Sequence, residues 1–342
     1  MKIEQLSDID GVLMFRLSET DKSFANALRR TMIGNIPILV FKPEDMTIEV
    51  NTSRFTNEII KSRLGGIPIH DKDIDSQYTV SISEKNTGTS MMYVTTDKFN
   101  VKKGGEPVSA KSIFKADPIT GMYIDFLRLR ENVVVSGEEI VMTAKSSVGT
   151  ANECGNYNCV STCSYAFTHD KEASESAFIG TGKNKEDWDL LDGLRYFKKD
   201  SFDFVLETVG IHTNKELLLF ASIVLREQLS YLTSSSYEVE PSVSTIENCF
   251  DVKITGSYNH KGKVIEMKGD YSIGKLIEYN LYTKFDTLTY VSFFKKHPHD
   301  TSGVLRLAFK DATPDLVRAK ITEACQESAA LCEEFSTLVA GL

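Results

Sequence analysis

The sequence predicts an α+β protein in which one strand–helix–strand unit occurs twice, each time followed by a long one-sided helix. Two observations carry this. A strand pattern runs into a capped amphipathic helix at Asp21, and the same grammar returns at Asp270. Apolar faces then continue through Leu217–Leu232 and through Val317–Val339.

In the first unit, Leu13, Phe15 and Leu17 form the apolar face of a strand. Thr20 or Asp21 can cap the helix that follows, and the Asp21 carboxylate suits the positive end of the helix dipole. Phe24, Leu28 and Met32 stand at four-residue steps, and Gly34-Asn35 ends the helix before the apolar strand Ile36–Phe41. In the second unit a strand ends at Ile265 and Met267, and Asp270 offers the cap. Ile273, Leu276, Ile277 and Leu281 form the helical stripe, and a strand follows over Thr289–Phe294. Written side by side, DKSFANALRRTM and DYSIGKLIEYNL pair Phe24 with Ile273 and Leu28 with Ile277.

Thr213-x-x-Glu216 is a capping-box pattern ahead of the helix that carries Leu217 and Phe220. Thr313-Pro314 opens the terminal helix with proline at its first position, and Ile321 and Phe335 lie on its apolar face. The intervening region alternates in the β manner at Tyr78–Ile82 and Val133–Val141, with turns at Asn86–Gly88 and Gly104-Gly105, and reads as a β-rich insertion. Glu172–Asp192 is polar and loop-like. Ser234–Ser236 is the expected junction between halves.

The bulk numbers fit this reading. A chain of 342 residues with 41% hydrophobic and 25% charged residues can bury two or three cores. Its net charge of −9 gives no broad basic footprint, so any work on nucleic acid is expected to run through partners. Met1–Asp10 lacks the apolar core of a secretory leader, no window matches a membrane span, and six cysteines are too few for a disulfide scaffold. An intracellular protein with reduced thiols is the expectation.

The run FANALRRTMIGNIPILVF from Phe24, then Asn51-Thr52-Ser53, then NEIIKSRLGGIPI from Asn57, closely resembles the larger alpha-like subunit of eukaryotic and archaeal RNA polymerases. GEEIVMTAKSSVG from Gly137 and FDFVLETVG from Phe202 extend that resemblance over most of residues 12–232. GDYSIGKLIEYNL from Gly269 and VSFFKKHPHDTSGVLRLAF from Val291 resemble the smaller alpha-like partner. Both in one chain resemble the fused subunits of large DNA viruses.

The resemblance implies two alpha-type dimerisation domains, each with helices packed on an antiparallel sheet. The first would span residues 1–40 and 200–235, interrupted by an insertion at 41–199, and the second residues 236–342. Their pairing would make a non-catalytic assembly platform that binds the second-largest and largest polymerase subunits, with small docking subunits alongside. A viral source would place it in the host cytoplasm or a virus factory, with packaging in the virion as a further expectation.

The resemblance assigns Arg29 and Arg30 to partner contact, where guanidinium forks suit carboxylates and carbonyls; arginines late in a helix also simply complement its dipole. Asn26 either joins that contact or sits on a solvated edge. Phe24, Leu28, Met32, Leu217, Phe220, Ile273, Leu276, Ile277, Ile321 and Phe335 are the expected seam.

Cys154, Cys159, Cys163 and His169 offer enough soft ligands for a structural zinc, although the spacing is not that of paired knuckles and free thiols are the simpler reading. The family's own zinc loop lies earlier, where Ile69–Val80 has no cysteine. No cofactor is expected otherwise. His297-Pro298-His299 reads as packing, and no nucleophile elbow, zincin motif or polymerase aspartate cluster is present. A stand-alone zinc-binding interaction module is the alternative.

Overall fold

The computed structural model describes residues 1–131, 137–234 and 237–342. The first part of the expected Val133–Val141 strand, and Ser235 and Ser236 of the expected junction, lie outside the described residues. The fold is α+β with antiparallel sheets. Two compact units emerge, one of residues 1–33, 162–207 and 214–342, the other of residues 34–161 and 208–213.

The chain opens with β1 (Lys2–Ile9) and β2 (Val12–Ser18), paired antiparallel, then α1 (Lys22–Gly34). β1 is largely exposed along its length, so its strand character comes from backbone pairing with β2 and not from an apolar face. In β2 the expected face is buried: Leu13, Phe15 and Leu17 are each at most 3% exposed. Asp21 caps α1, its Oδ1 accepting the backbone N–H groups of Ser23 at 2.6 Å and Phe24 at 3.1 Å.

The second unit follows. It contains β3 (Ile38–Asn51), α2 (Asn57–Gly65), β4 (Tyr78–Lys85), β5 (Met92–Thr95), β6 (Asn100–Lys103), β7 (Glu106–Val108), α3 (Ala110–Ile113), β8 (Asp125–Leu129) and β9 (Glu139–Gly149). Five of these strands form one sheet in the order β3-β9-β4-β6-β7, and β5 pairs with β8. Its core is aromatic at the centre: Phe99 meets Phe114 and Phe126 edge-on at 5.5 and 5.4 Å between centroids.

The chain then builds β10 (Val160–His169), α4 (Lys171–Phe178), α5 (Lys185–Leu190), β11 (Phe197–Thr208) and α6 (Asn214–Ser234). The Glu172–Asp192 segment expected as loop is therefore largely helical. Asp170 caps α4 through Ala173 N–H, Asn184 caps α5 through Glu186 N–H, and Trp188 is buried with its indole N–H donating to Ser174 Oγ at 3.1 Å. These helices are too short and too polar to produce a readable stripe; only the caps and the single tryptophan betray them.

The remainder comprises β12 (Val239–Pro241), β13 (Cys249–Ile254), β14 (Gly256–His260), β15 (Lys263–Met267), α7 (Tyr271–Lys284), β16 (Leu288–Phe294), β17 (Gly303–Phe309) and α8 (Pro314–Ala340). Asp270 caps α7 through Tyr271 N–H, and Thr313 caps α8 through Leu316 N–H at 3.2 Å.

The two four-stranded sheets of the first unit run β1-β2-β11-β10 and β12-β13-β17-β16. In each, an early strand (β2 or β13) lies beside the last strand before the long helix (β11 or β17), with the penultimate strand outside; in the second repeat the separate β14–β15 hairpin stands between β13 and α7. The repetition extends to a cross-strand charge pair with its signs exchanged. Arg16 of β2 stands opposite Asp203 of β11, Nε to Oδ1 2.7 Å. Asp251 of β13 stands opposite Arg306 of β17, again 2.7 Å. Behind the first pair, Phe15 and Phe204 stack at 4.7 Å.

Candidate functional site: the helix seam

α1, α6, α7 and α8 bury their apolar faces within the first unit, with α6 and α7 both packed on α8. Phe24, Leu28, Met32, Leu217, Ile273, Leu276, Ile277, Ile321 and Phe335 are all buried. Phe24 and Phe335 meet edge to face with centroids 5.9 Å apart. That contact joins the start of the chain to its last helix. Phe220 is only half-buried and lies beneath the Lys261 ammonium, 5.2 Å from its ring centre, at the β14–β15 turn.

Small polar residues hold the seam where the helices approach closely. Ser222 of α6 and Ser336 of α8 have their hydroxyl oxygens 2.6 Å apart, and Asn280 of α7 donates to Ser328 of α8 at 2.5 Å. Asn280 and Ser328 are buried, so their bond satisfies groups that water cannot reach. On α6, Glu227 approaches His260 of β14, Oε2 to Nδ1 2.7 Å, with the imidazole buried.

A glycine seat fixes α7 on its sheet. A Cβ at Gly274 or at Gly303 would overlap the Phe293 ring. The Ile-Gly pair of the α7 stripe therefore exists so that Phe293, itself 2% exposed, can lie against the helix backbone.

The three polar residues singled out on α1 have different surroundings. Arg30 turns to the second repeat: Nη2 donates to Asp270 Oδ1 at 2.6 Å and Nε to Ser272 Oγ at 2.9 Å. Arg29 is held on its own helix, Nε and Nη2 both donating to Asn26 Oδ1 at 3.1 Å. Asn26 and Arg29 are neither buried nor fully exposed. The partner of Arg30 stands 240 residues away, beyond any spacing rule; the clue in the sequence was the capping aspartate itself.

In the side-by-side alignment Arg30 matches Tyr279, and Asp270 matches Asp21. Those counterparts also approach one another: burial raises the Tyr279 phenol above its ordinary pKa and the Asp21 charge adds to it. Both line a cleft of about 900 Å³ with Phe167, Phe197, Lys199 and Leu331. One end of the seam is thus tied by an ion pair. The other end is open.

The sulfur and imidazole candidates do not converge. Cys154 is exposed while Cys159 and Cys163 are buried, both thiols being pushed up to about 12 by that burial, with Arg29 opposing the shift at Cys163. Cys163 and His169 lie six residues apart on β10, roughly 20 Å in an extended strand, whereas two ligands of one zinc sit within a few ångströms. His169 Nε2 is instead 3.0 Å from the Gly193 carbonyl oxygen. Among the described residues no group of three or more His, Cys, Asp or Glu side chains is placed to hold a metal, and no helix is long and apolar enough to cross a membrane.

The sequence profile of the RNA polymerase Rpb3/Rpb11 dimerisation domain matches residues 14–229, more than half of the chain. Among curated relatives, DNA-directed RNA polymerase subunit Rpo3 of Methanosphaera stadtmanae is 28% identical over 173 residues, covering 49% of this chain and 61% of the relative. The subunit 3B of RNA polymerases IV and V of Arabidopsis thaliana is 23% identical over 299 residues, covering 70% and 92%. Subunit Rpo3 of Thermoplasma volcanium is 25% identical over 281 residues, covering 70% and 99%. The chain spans about three fifths of the length of the first of these and nearly all of the other two. With α1 and most of α6 of the helix seam inside the matched segment, the chain belongs to the RNA polymerase Rpb3/Rpb11 dimerisation-domain family.

Proposed function

We propose that the chain is the non-catalytic assembly platform of a DNA-directed RNA polymerase, with a third-largest-type subunit fused to an eleventh-type subunit. In this reading the halves divide as residues 1–40 with 200–235, an insertion at 41–199, and residues 236–342, with β10 of the 41–199 segment joining the sheet of β2 and β11. They pair within one chain, and the paired helices present a surface to the second-largest and largest subunits, with small subunits docking alongside. The fused organisation also points to a polymerase of the kind found in large DNA viruses.

The observation that carries the reading is the Arg30–Asp270 pair, which ties the helix of the first repeat to the cap of the second. Its support is the common strand order of the two sheets and the packing of α6 on α8, the long helix of each repeat, since an interface between like halves sets corresponding elements against one another. Fusion supplies the partner at high effective concentration and fixes the stoichiometry. Asn26, Arg29 and Arg30 form the contact offered to the large subunits, Arg30 serving the seam as well through Asp270.

The test is co-expression of the full chain with the second-largest subunit. Stable co-purification is expected, and it is expected to weaken in Arg29→Ala while that variant keeps the wild-type melting temperature. Undiminished recovery of the subunit by Arg29→Ala would remove Arg29 from the contact; failure of the wild-type chain to recover it would remove the platform reading. Light scattering is expected to give a monomer, and a dimer would mean that the halves pair between chains. The zinc-module alternative has no observation in its favour, because Cys163 and His169 are held apart along β10.

A further inference from the structure

The second unit carries a small basic recess in a chain that is acidic overall. Arg54, Phe55, Arg63, Met91, Asp125 and Arg128 line about 270 Å³ of space between the start of α2 and the β5–β8 pair. Three arginines face one aspartate.

Two of the guanidinium groups are fixed before any ligand arrives. Arg63 donates from Nε to the Phe126 carbonyl and from Nη2 to the Asp125 carbonyl, both at 2.7 Å, and lies over the Phe55 ring at 5.6 Å. Carbonyl oxygens orient this side chain without cancelling its charge. Arg128 donates to Asp125 Oδ2 at 2.6 Å and lies 4.9 Å from the Tyr93 ring centre. Arg54 is exposed and has no ion-pair partner among the described residues. The only carboxylate in the lining is therefore shared with Arg128, and the positive charge of Arg54 and Arg63 is uncompensated.

Apolar surface adjoins this charge. Met91, 39% exposed, lines the recess with Phe55, and Tyr93, 47% exposed, lies against Arg128. A recess of this volume takes one or two side chains, whereas a nucleic-acid strand needs a basic track along its backbone.

We propose that this recess binds an acidic segment of a protein partner. One carboxylate sits between Arg54 and the fixed Arg63, and a neighbouring aliphatic side chain lies on Met91 and Phe55. Fixed guanidinium forks lower the ordering cost of binding and favour the planar carboxylate. The recess lies wholly within the second unit and does not depend on the platform reading.

The experiment uses the full chain and fluorescence anisotropy. The probes are a labelled peptide of aspartate, glutamate and leucine, the same peptide with asparagine and glutamine for the acids, and a labelled oligothymidylate. The acidic peptide alone is expected to bind. Arg54→Glu, at an exposed side chain that the fold does not use, is expected to weaken it by about tenfold or more. Lys102→Glu, an equal charge change on β6 outside the recess, is expected to leave binding unchanged. Equal losses in both variants, tighter binding of the oligothymidylate, or no binding of the acidic peptide up to about 1 mM would each overturn the proposal.

Discussion

The Arg30 guanidinium and the Asp270 carboxylate, 2.6 Å apart, join the first helix of one repeat to the helix cap of the other. Asp270 Oδ1 accepts both from Arg30 and from the backbone N–H of Tyr271, so one oxygen serves the cap and the seam together.

Removing Arg30 is expected to loosen the seam modestly. The arginine side chain is 37% exposed and Asp270 19%, so solvent screens the pair. Arg30→Ala should lower unfolding stability by about 1–2 kcal/mol, including the lost bond to Ser272. Chemical denaturation of Arg30→Ala, Asp270→Ala and the double variant checks this. Additive effects of the two single changes would mean that the ion pair carries no coupling.

At the open end the expectation is reversed. Tyr279→Arg installs beside Asp21 the residue that its counterpart already has beside Asp270. It should raise stability by about 0.5–1 kcal/mol, and the gain should vanish in an Asp21→Asn background. Thermal melts of the four proteins test it.

Gly274→Ala should be costly although alanine is the better helix former. The added methyl meets the Phe293 ring, and overpacking of this kind costs about 1–3 kcal/mol. Phe293→Leu should recover part of that loss in a denaturation series; no recovery would show that the ring is not the obstacle.

Burial sets the behaviour of the thiols. Cys159, Cys163, Cys325 and Cys332 have pKa values pushed up to about 12 by desolvation, while Cys154 is exposed. In the native protein Cys154 should react first with an aromatic disulfide reagent, and the remaining five of the six should follow on unfolding. A group whose folded pKa is raised stabilises the fold below its unfolded pKa. The contribution of each buried thiol is therefore full below pH 9 and is lost as pH rises from 9 toward about 12. A denaturation series across that window, with Cys325→Ala as comparison, reads the effect.

Much of this architecture was legible because it rests on local rules. The caps at Asp21, Asp270 and Thr313 and the buried stripes of α1 and α7 follow from helix chemistry, and the face of β2 follows from period two. What was hidden depends on neighbours far along the chain. β1 has no apolar face of its own, and α4 and α5 are short polar helices pinned by Trp188. The candidate site divided the same way. Its apolar residues could be read from period, whereas the separate surroundings of Arg29 and Arg30 follow from Asn26 three residues back and Asp270 in the other repeat.

The exchanged signs of the two cross-strand pairs bear on how the chain avoids misfolding. Two repeats with the same strand order invite each to borrow a strand from the other during folding. If β2 took the place of β13 beside β17, Arg16 would face Arg306; if β13 took the place of β2 beside β11, Asp251 would face Asp203. Like charges directly opposite one another on a sheet repel, and only the correct partnership sets each arginine against an aspartate. The charge reversal thus disfavours the trading of strands between two look-alike sheets.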